Sequence, residues 1–586
     1  MNFYHNSRDI RCREPFGAVR QNTSIVLRAK SPFPVTLRLW QESGETLIPM
    51  KRRRGSWWEA TISRETQGLL WYYFIADEKI YCAPLDLLGG ESILHNDGKR
   101  LDSHQITVYA EDFSPPKWLR ESVMYQIFTD RFFDGCNGEL LKKRSDIVIH
   151  SDKTEIPFAV IDESEDNPEV ILTNDFYGGN LPGIAQKLGY LKDMGFSAIY
   201  LNPIFEASSN HKYDTADYHN IDPTFGDNAA FEQLCEKADG EGIKIILDGV
   251  FSHTGADSIY FNKTGKYGAG GAYNDKNSPY YKWYTFTDKN GGYDSWWGFK
   301  SLPNVNEMEP DYIDFIARSD DAVVKKWLRL GASGWRLDVA DELPDEFIET
   351  LRKNIKRENE QAAIIGEVWE DATNKVSYEK LRSYALGSGL DSVMNYPLRD
   401  ALIAFFLGKE DSKMLKRRLD SQMENYPKEM YYSLMNLLGT HDRSRIINIL
   451  GECDDQSIPR CEQRNIRMSA REYSAGKRRL KAMAQIIFAL PGMPCIYYGD
   501  EAGLQGMRDP FCRAFFPWGR EDKPLQNFFK RLITNRKLRP VLQTGFVAIS
   551  APEADVIEIR RYFKDGLDAF GDPQKKDEFI LRVERK

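Results

Sequence analysis

The chain carries acidic side chains at the ends of several apolar runs. The blocks DGVFSH, GWRLDVADE, GEVWE and LLGTHDRSR together hold Asp248, His253, Arg336, Asp338, Glu367, His441 and Asp442. Carboxylates without a cysteine or histidine cluster suit cleavage of glycosidic bonds, in which one acid protonates the leaving oxygen and another attacks or supports the oxocarbenium-like carbon. One such acid alone would indicate a solvated loop charge or a helix cap, whereas their recurrence predicts a glycosidase.

The spacing of Arg336 and Asp338 adds to this hypothesis. Two residues apart on a predicted strand, their side chains point the same way. The fixed cation is expected to keep Asp338 ionised, as a nucleophile requires. A metal site is the alternative use of carboxylates and histidines, but the sequence has no HExxH motif and no close HxH or HxD pair, which disfavours metal-dependent hydrolysis.

These residues need a scaffold that delivers strand ends to one rim. From Val123 onward, short apolar runs alternate with amphipathic helices, which predicts parallel strands joined by helices. The strand candidates are VMYQIF, SAIYLNP, IKIILDGVF, GWRLDVA, AAIIGEVW, GLDSVMNY, YSLMNLLGTHD and CIYYGD. We predict an α/β fold, a closed (β/α)8 TIM barrel with its active site at the C-terminal strand ends, and keep an open doubly wound sheet as the alternative.

Flanking and inserted segments complete the predicted organisation. Residues 1–115 read as strands separated by turns and predict an N-terminal β-sandwich of carbohydrate-binding type. Residues 116–540 are assigned to the catalytic barrel, in which residues 254–318 follow the third strand and predict a roof subdomain over the active site. Residues 136–172 predict a hydrophilic surface insertion, and residues 541–586 predict a short C-terminal β module.

Composition narrows the classes of partner. The 586 residues have a formal net charge of −8, with 41% hydrophobic and 28% charged residues, so we expect a globular protein that binds neither nucleic acid nor a membrane. No apolar run reaches the roughly 18 residues of a membrane span, and the N-terminus lacks the apolar stretch of a signal peptide. Eight scattered cysteines without CxxC spacing are typical of a reducing compartment, and the cytoplasm is the expected location.

The same blocks, in the same order, resemble those of a known family. They are similar to the motifs of the α-amylase superfamily of glycoside hydrolases, and the resemblance covers most of residues 20–545. Supporting blocks are HKYDTADYHNIDPTFG, LPNVN and GMPCIYYGDE. LPNVN and the β-rich N-terminal segment resemble the branch that contains neopullulanases, cyclomaltodextrinases and amylopullulanase-like enzymes.

The resemblance implies a role for each residue of the blocks. Asp338 would be the nucleophile, Glu367 the general acid/base, and Asp442 would bind sugar hydroxyls at the scission subsite. Asp248 would have a structural role, or would support the catalytic residues without contacting the sugar. The implied substrate-binding residues are Tyr213 beneath the sugar ring, His253 and His441 as hydrogen-bonding partners, Arg336 beside the nucleophile, Trp369 near the leaving group, and His211.

The resemblance also implies calcium loops, from which this chain departs. Ser252 stands where many family members have an asparagine that ligates calcium between the barrel and the roof. At the positions of the family's second calcium loop, this chain has an incomplete set of ligands: Asp134, Cys136, Asn137, Gly178 and Asn180. We expect the chemistry to require no cofactor, and the resemblance leaves a structural calcium ion open. Asp341 and Glu370 stand where close relatives often have asparagine and histidine, which leaves the exact specificity open.

The sequence thus predicts a retaining endo-type hydrolase of α-1,4 glucosidic bonds, with α-1,6 cleavage left open, acting on maltooligosaccharides, cyclodextrins, pullulan or starch. The alternatives are a glucan transferase using the same covalent intermediate and a non-catalytic glucan-binding protein. The expected partners are α-glucan oligosaccharides, and a homodimer is left open. Short maltooligosaccharides or cyclodextrins are expected to be preferred over starch if Trp283, Trp296 and Trp297 narrow the cleft; the alternative is that they only pack the roof.

Overall fold

Two sheets form the N-terminal part of the structure, a computed structural model that describes residues 3–96, 98–157, 161–162, 170–171, 173–287 and 292–585. The sheets pack face to face through a shared core that includes Leu27, Leu37 and Tyr72. Strand alternation explains this packing, because every second side chain lies on the same face. The main strands are β1 (Ile25–Lys30), β2 (Val35–Gln41), β3 (Gly44–Pro49), β4 (Trp57–Ile62), β5 (Gly68–Ala76), β6 (Lys79–Cys82) and β7 (His104–Tyr109).

Eight parallel strands follow and close into a barrel. The strands are β8 (Met124–Ile127), β9 (Ala198–Leu201), β10 (Lys244–Gly249), β11 (Gly334–Leu337), β12 (Ala363–Gly366), β13 (Ser392–Val393), β14 (Met435–Leu437) and β15 (Met493–Tyr497). Their order is β13-β12-β11-β10-β9-β8-β15-β14, and a parallel bridge between Met394 and Met435 joins the two ends of this order. The closed sheet confirms the predicted (β/α)8 barrel and excludes the open doubly wound sheet.

Both faces of the barrel strands are buried. Ile246 and Ile365 point into the barrel interior, whereas their neighbours Leu247 and Ile364 pack outward in a core shared with helix residues such as Trp327. Burial on both sides explains why the sequences of these strands are continuous apolar runs. The α-helices of the described residues are α1 (Lys117–Glu121), α2 (Leu181–Gln186), α3 (Leu188–Met194), α4 (Asn228–Gly240), α5 (Pro310–Ile313), α6 (Val323–Arg329), α7 (Asp345–Glu358), α8 (Tyr396–Phe406), α9 (Ser412–Asn425), α10 (Lys428–Tyr431), α11 (Ile446–Leu450), α12 (Arg460–Gln463), α13 (Ala470–Ala489), α14 (Lys523–Leu538) and α15 (Pro540–Thr544).

The roof lies between β10 and β11 and has an aromatic core of its own. Trp283 is buried there, with its ring centroid 5.0 Å from that of Tyr312 and 5.1 Å from that of Phe315. The Tyr312 hydroxyl donates to the Phe251 carbonyl at 2.9 Å and so ties the roof to the barrel. Trp283 therefore packs the roof and does not line the cleft, whereas Trp297 is 66% exposed.

The remaining segments lie outside the barrel. A three-stranded antiparallel sheet of β16 (Phe546–Glu553), β17 (Val556–Tyr562) and β18 (Glu578–Glu584) forms the C-terminal module. Of the predicted insertion at residues 136–172, residues 158–160, 163–169 and 172 lie outside the described residues. Among the helices that the structure describes, none combines the length and apolar character needed to span a bilayer.

Candidate active site

The upper layer of the barrel interior is polar because strand alternation continues past its apolar residues. Asp248 lies two residues after the interior Ile246, and Glu367 lies two residues after the interior Ile365. Arg336 stands opposite Asp248 in the pairing of β10 with β11. The period of two therefore turns all three charged side chains toward the axis of the barrel.

The guanidinium group of Arg336 joins three carboxyl groups. Nη1 donates to Asp248 Oδ1 at 2.6 Å and to Asp338 Oδ1 at 2.8 Å, while Nη2 donates to Glu367 Oε2 at 2.6 Å. Arg336 is only 1% exposed, so water competes little for these bonds. A single planar group thereby holds the Asp338 and Glu367 carboxylates as immediate neighbours.

Glu367 has two further partners that fix its orientation. Its Oε2 accepts the Val339 backbone N–H at 2.8 Å, and its Oε1 accepts the Trp369 indole N–H at 3.1 Å. Val339 adopts a left-handed backbone with φ of 30°, which is unfavourable for a β-branched residue and costs on the order of 1–3 kcal/mol. This strained turn directs the Val339 amide at the carboxylate.

Burial and the crowding of carboxyl groups together set the pKa of Asp338. Burial raises the pKa of Asp338 well above its ordinary value, the charges of Glu367 and Asp248 raise it further, and Arg336 opposes them. Arg336 makes the expected contact and acts in the expected direction, because its charge and its hydrogen bond both lower the pKa of Asp338. Burial and the charges of Glu367 and Asp248 outweigh it, so the net shift is upward and the cluster favours keeping a proton.

Asp442 is the most accessible of the predicted acids. Its side chain is 31% exposed, and Oδ1 lies 3.2 Å from His441 Nε2 and 3.6 Å from Arg513 Nη2. Desolvation and the nearby charge of Glu367 raise the pKa of Asp442 to about 7. The carboxyl group therefore remains open to a ligand in the cleft.

Tyr213 and His441 form a stacked pair beside these acids. Their rings are 5.4 Å apart and inclined by 4°. Gln126 donates to His441 Nδ1 at 3.0 Å, so a neutral His441 ring carries its hydrogen on Nε2, 2.6 Å from the Tyr213 hydroxyl. Burial lowers the pKa of His441 well below its usual value, which favours that neutral form. The Tyr213 hydroxyl in turn donates to Asp248 Oδ2 at 3.0 Å.

His253 and His211 support Tyr213 from its backbone. His253 Nε2 donates to the Tyr213 carbonyl at 3.1 Å while its Nδ1 lies 3.0 Å from Ser252 Oγ. His211 Nδ1 accepts the Tyr213 amide at 3.1 Å. Burial lowers the pKa of His253 to about 4 and that of His211 to about 3, so both rings are neutral at neutral pH.

Trp369 lies on the other side of Glu367. Its ring stacks on Tyr396 at 4.4 Å, and the guanidinium of Arg443 lies 4.3 Å from its centroid. Stacking on both faces holds the indole in place for its bond to Glu367. The neighbouring departures from the family pattern, Asp341 and Glu370, both form ion pairs with Lys375.

Several residues of this site were missed by sequence reasoning. Tyr200 and Asn202 flank the end of β9, and Tyr200 donates to Asp248 Oδ2 at 2.5 Å. Gln126 on β8 is in step with the interior Met124, so strand alternation could have found it. Arg513 ends a short 3-10 helix (Phe511–Arg513) after β15, and no local pattern points to it.

The candidate calcium loop is closed by hydrogen bonds within the protein. Asn180 Oδ1 accepts the Gly183 amide at 2.8 Å as the N-cap of α2. This turns the amide nitrogen of Asn180 toward Asp134 Oδ1 at 3.2 Å and the Gly178 carbonyl at 2.9 Å, the oxygens that a cation would need. Asn137 is exposed. These residues do not fit a calcium ion as they stand, and across the described residues no group of three or more His, Cys, Asp or Glu side chains is arranged to hold a metal.

A closed (β/α)8 barrel with clustered carboxylates at its C-terminal rim defines a class of glycosidase-like proteins. The sequence profile of the α-amylase catalytic domain matches residues 126–543. The chain belongs to the α-amylase family.

Individual relatives agree with this assignment. The chain is 38% identical to an amylopullulanase of Thermoanaerobacter thermohydrosulfuricus, over 97% of this chain and 41% of that protein. It is 33% identical to a cyclomaltodextrinase of Geobacillus thermopakistaniensis (strain MAS1), over 76% of this chain and 67% of that protein. The structure of a cyclic α-maltosyl-(1→6)-maltose hydrolase from Arthrobacter globiformis superposes with a TM-score of 0.63 and 27% identity, over 77% of this chain and 90% of that chain. The chain spans less than half the length of the amylopullulanases it matches.

Proposed function

We propose that this protein is a retaining endo-type hydrolase of α-1,4 glucosidic bonds. The observation that carries the proposal is the bridge made by Arg336 between Asp338 and Glu367, because double displacement needs a nucleophilic and a proton-donating carboxyl group side by side. The accessible carboxyl group of Asp442 supplies a third acid facing the same space.

The reaction follows from these positions. A carboxylate oxygen of Asp338 attacks the anomeric carbon while the bond to the leaving oxygen breaks, and that oxygen takes the proton of Glu367. The glycosyl ester on Asp338 is then attacked by water, whose proton passes to Glu367 as the ester bond breaks. Two inversions retain the α configuration.

The surrounding residues act on the sugar or on the acids. Asp442 would hydrogen-bond the sugar at the scission subsite, and Tyr213 would stack beneath it. His441 and His253 would join Asp442 there, each exchanging a bond that its ring makes within the protein for one to a sugar hydroxyl. His211 would act through the Tyr213 backbone. Asp248 and Arg336 lie below the residues that would contact the sugar. Arg336 orients Asp338, and the negative charge shared by the carboxyl groups favours a proton on the cluster. Trp369 orients Glu367 on the leaving-group side.

Proton NMR of the first product tests the proposal. With maltohexaose as substrate, the newly formed reducing end should appear as the α-anomer and then mutarotate. A β-anomer appearing first would refute double displacement. Asp338→Asn serves as the control, because any signal it still produces measures contaminating activity.

We also propose which α-glucans the enzyme prefers. The names of the amylopullulanase and cyclomaltodextrinase relatives support action on α-1,4 and α-1,6 glucans and on cyclic maltodextrins. We propose that maltohexaose and β-cyclodextrin have higher kcat/KM than soluble starch. A tenfold preference for starch, about 1.4 kcal/mol of transition-state binding, would instead indicate an open cleft. Products longer than the substrate would indicate glucan transfer.

The reaction and the location of the protein give two more proposals. The carboxyl groups supply both the acid and the nucleophile, so we propose catalysis without a cofactor, and a chelator should leave kcat unchanged. We also propose the cytoplasm as the location. The cysteines that the structure describes with their side chains are all unpaired, which fits a reducing compartment. Dimer formation stays a prediction.

A further inference from the structure

Two large aromatic side chains are exposed on separate loops above the barrel rim. Trp297 in the roof is 66% exposed, and Tyr378 in the loop after β12 is 68% exposed. Tyr378 and Glu379 form the turn of a short hairpin in which Val376–Ser377 pairs with Lys380–Leu381. Neither aromatic side chain contributes much to a core, so packing does not explain why the chain presents them.

Both residues adopt a backbone that is unfavourable for their type. Trp297 has φ of 48°, and the hairpin turn has φ of 49° at Tyr378 and 63° at Glu379. A two-residue turn with both φ values positive favours asparagine and glycine, not tyrosine and glutamate. Backbone strain at exposed side chains that no buried core explains points to a functional constraint.

One carboxylate connects the two aromatic side chains. The Trp297 indole N–H donates to Glu342 Oε1 at 3.1 Å, and the Tyr378 hydroxyl lies 2.8 Å from Glu342 Oε1 and 2.7 Å from Oε2. Glu342 belongs to the turn that begins after Asp338. The loops following β10, β11 and β12 are thereby joined above the rim.

Further contacts link these three residues to the active site and fix the hairpin. The Trp296 ring stacks on Trp297 at 4.1 Å with an inclination of 14°, and lies 5.3 Å from the ring of His253. Arg382 donates to Ser377 Oγ at 2.8 Å and to the Asp341 carbonyl at 2.9 Å, which fixes the hairpin against the loop that carries Glu342.

We propose that Trp297, Glu342 and Tyr378 form a clasp that binds glucosyl rings of the leaving group. This inference rests on the proposed function. The hairpin belongs to the same loop as Glu367, the proposed proton donor, and the turn that carries Glu342 bonds the Glu367 carbonyl through the Ala340 amide at 3.0 Å. For these two reasons we assign the clasp to the side of the leaving oxygen. The apolar face of a glucose ring packs on an aromatic ring, and the carboxylate accepts its hydroxyls.

Kinetics on two substrates test the clasp. Maltohexaose places several sugars on the leaving-group side, whereas p-nitrophenyl α-maltoside places a single aryl group there. Trp297→Ala and Tyr378→Ala should each lower the ratio of kcat/KM for maltohexaose to that for p-nitrophenyl α-maltoside about tenfold, mainly through a higher KM. Tyr378→Phe keeps the ring and loses only the bond to Glu342, so it should lower the ratio less than Tyr378→Ala.

The controls separate this inference from the proposed function. Phe33→Ala removes an exposed aromatic side chain from the N-terminal sheets and should leave the ratio unchanged. A ratio within twofold of the wild type in both alanine variants would overturn the clasp while leaving hydrolysis intact. A wild-type protein that cleaves neither substrate would refute the proposed function itself.

Discussion

Asp338 and Glu367 share Arg336, but their proposed roles differ and so should the effects of replacing them. Asp338→Asn removes the nucleophile and should lower kcat to about a thousandth or less, roughly 4 kcal/mol of lost stabilisation. Glu367→Gln removes the proton donor and should be comparably slow on maltohexaose. It should regain kcat/KM on α-maltosyl fluoride, whose leaving group needs no proton, while kcat stays low because hydrolysis of the glycosyl ester still lacks its base.

The measurement is steady-state kinetics of both variants on both substrates, with circular dichroism to establish folding. Rescue of Asp338→Asn by the fluoride, or its absence in Glu367→Gln, would contradict the assignment of roles.

Asp248 offers a test of the electrostatics at the same scale. Its charge raises the pKa of Asp338, so Asp248→Asn should lower that pKa. The nucleophile acts as a carboxylate and its activity is lost as pH falls through its pKa, so the acidic limb of the kcat/KM profile should move to lower pH. Asp400→Asn removes an exposed carboxylate that pairs with the buried Arg399; it is the matched control and should leave the limb in place. A shift to higher pH would contradict the shared-proton cluster.

At the scale of elements, the roof combines a packed core with an exposed edge. Trp283 is 3% exposed, so Trp283→Ala should lower the free energy of unfolding by about 3–5 kcal/mol through lost burial and the cavity that remains. Trp297→Ala also removes an indole side chain, but from an exposed site, and should change the free energy of unfolding by less than about 0.5 kcal/mol. Urea unfolding of both variants makes the comparison, and equal losses would contradict the distinction between core and edge.

At the scale of the whole molecule, a buried ion pair joins the N-terminal sheets to the barrel. Arg13, fully buried, donates to Glu424 Oε1 of α9 at 3.0 Å and to the Gly17 carbonyl at 2.6 Å. Arg13→Ala leaves a buried carboxylate with one cation fewer, and should destabilise the junction by about 3–5 kcal/mol.

The exposed pair of Arg417 with Asp86 crosses the same junction and provides the control. Arg417→Ala should cost less than about 1 kcal/mol because water screens the pair. Calorimetric unfolding compares the two variants. A Tm for Arg13→Ala no lower than that for Arg417→Ala would show that burial does not govern this junction.

Much of the site could be predicted from the sequence because its information is local. Alternation along a strand turns Asp248, Arg336 and Glu367 inward whatever lies elsewhere in the chain. Parallel strands that each end in such residues then deliver them to one rim, and the eight apolar runs were sufficient to predict the closed barrel.

The tertiary structure alone decided the contacts that depend on distant loops. Trp283 and Trp297 look alike in the sequence, yet one is buried and the other exposed, because burial depends on what the folded chain brings against each ring. The raised pKa of Asp338 follows from its burial and from the nearby charges of Glu367 and Asp248, which a two-residue spacing cannot reveal. The meeting of Trp297, Glu342 and Tyr378 joins loops that follow three different strands, and only their packed arrangement places them around one carboxylate.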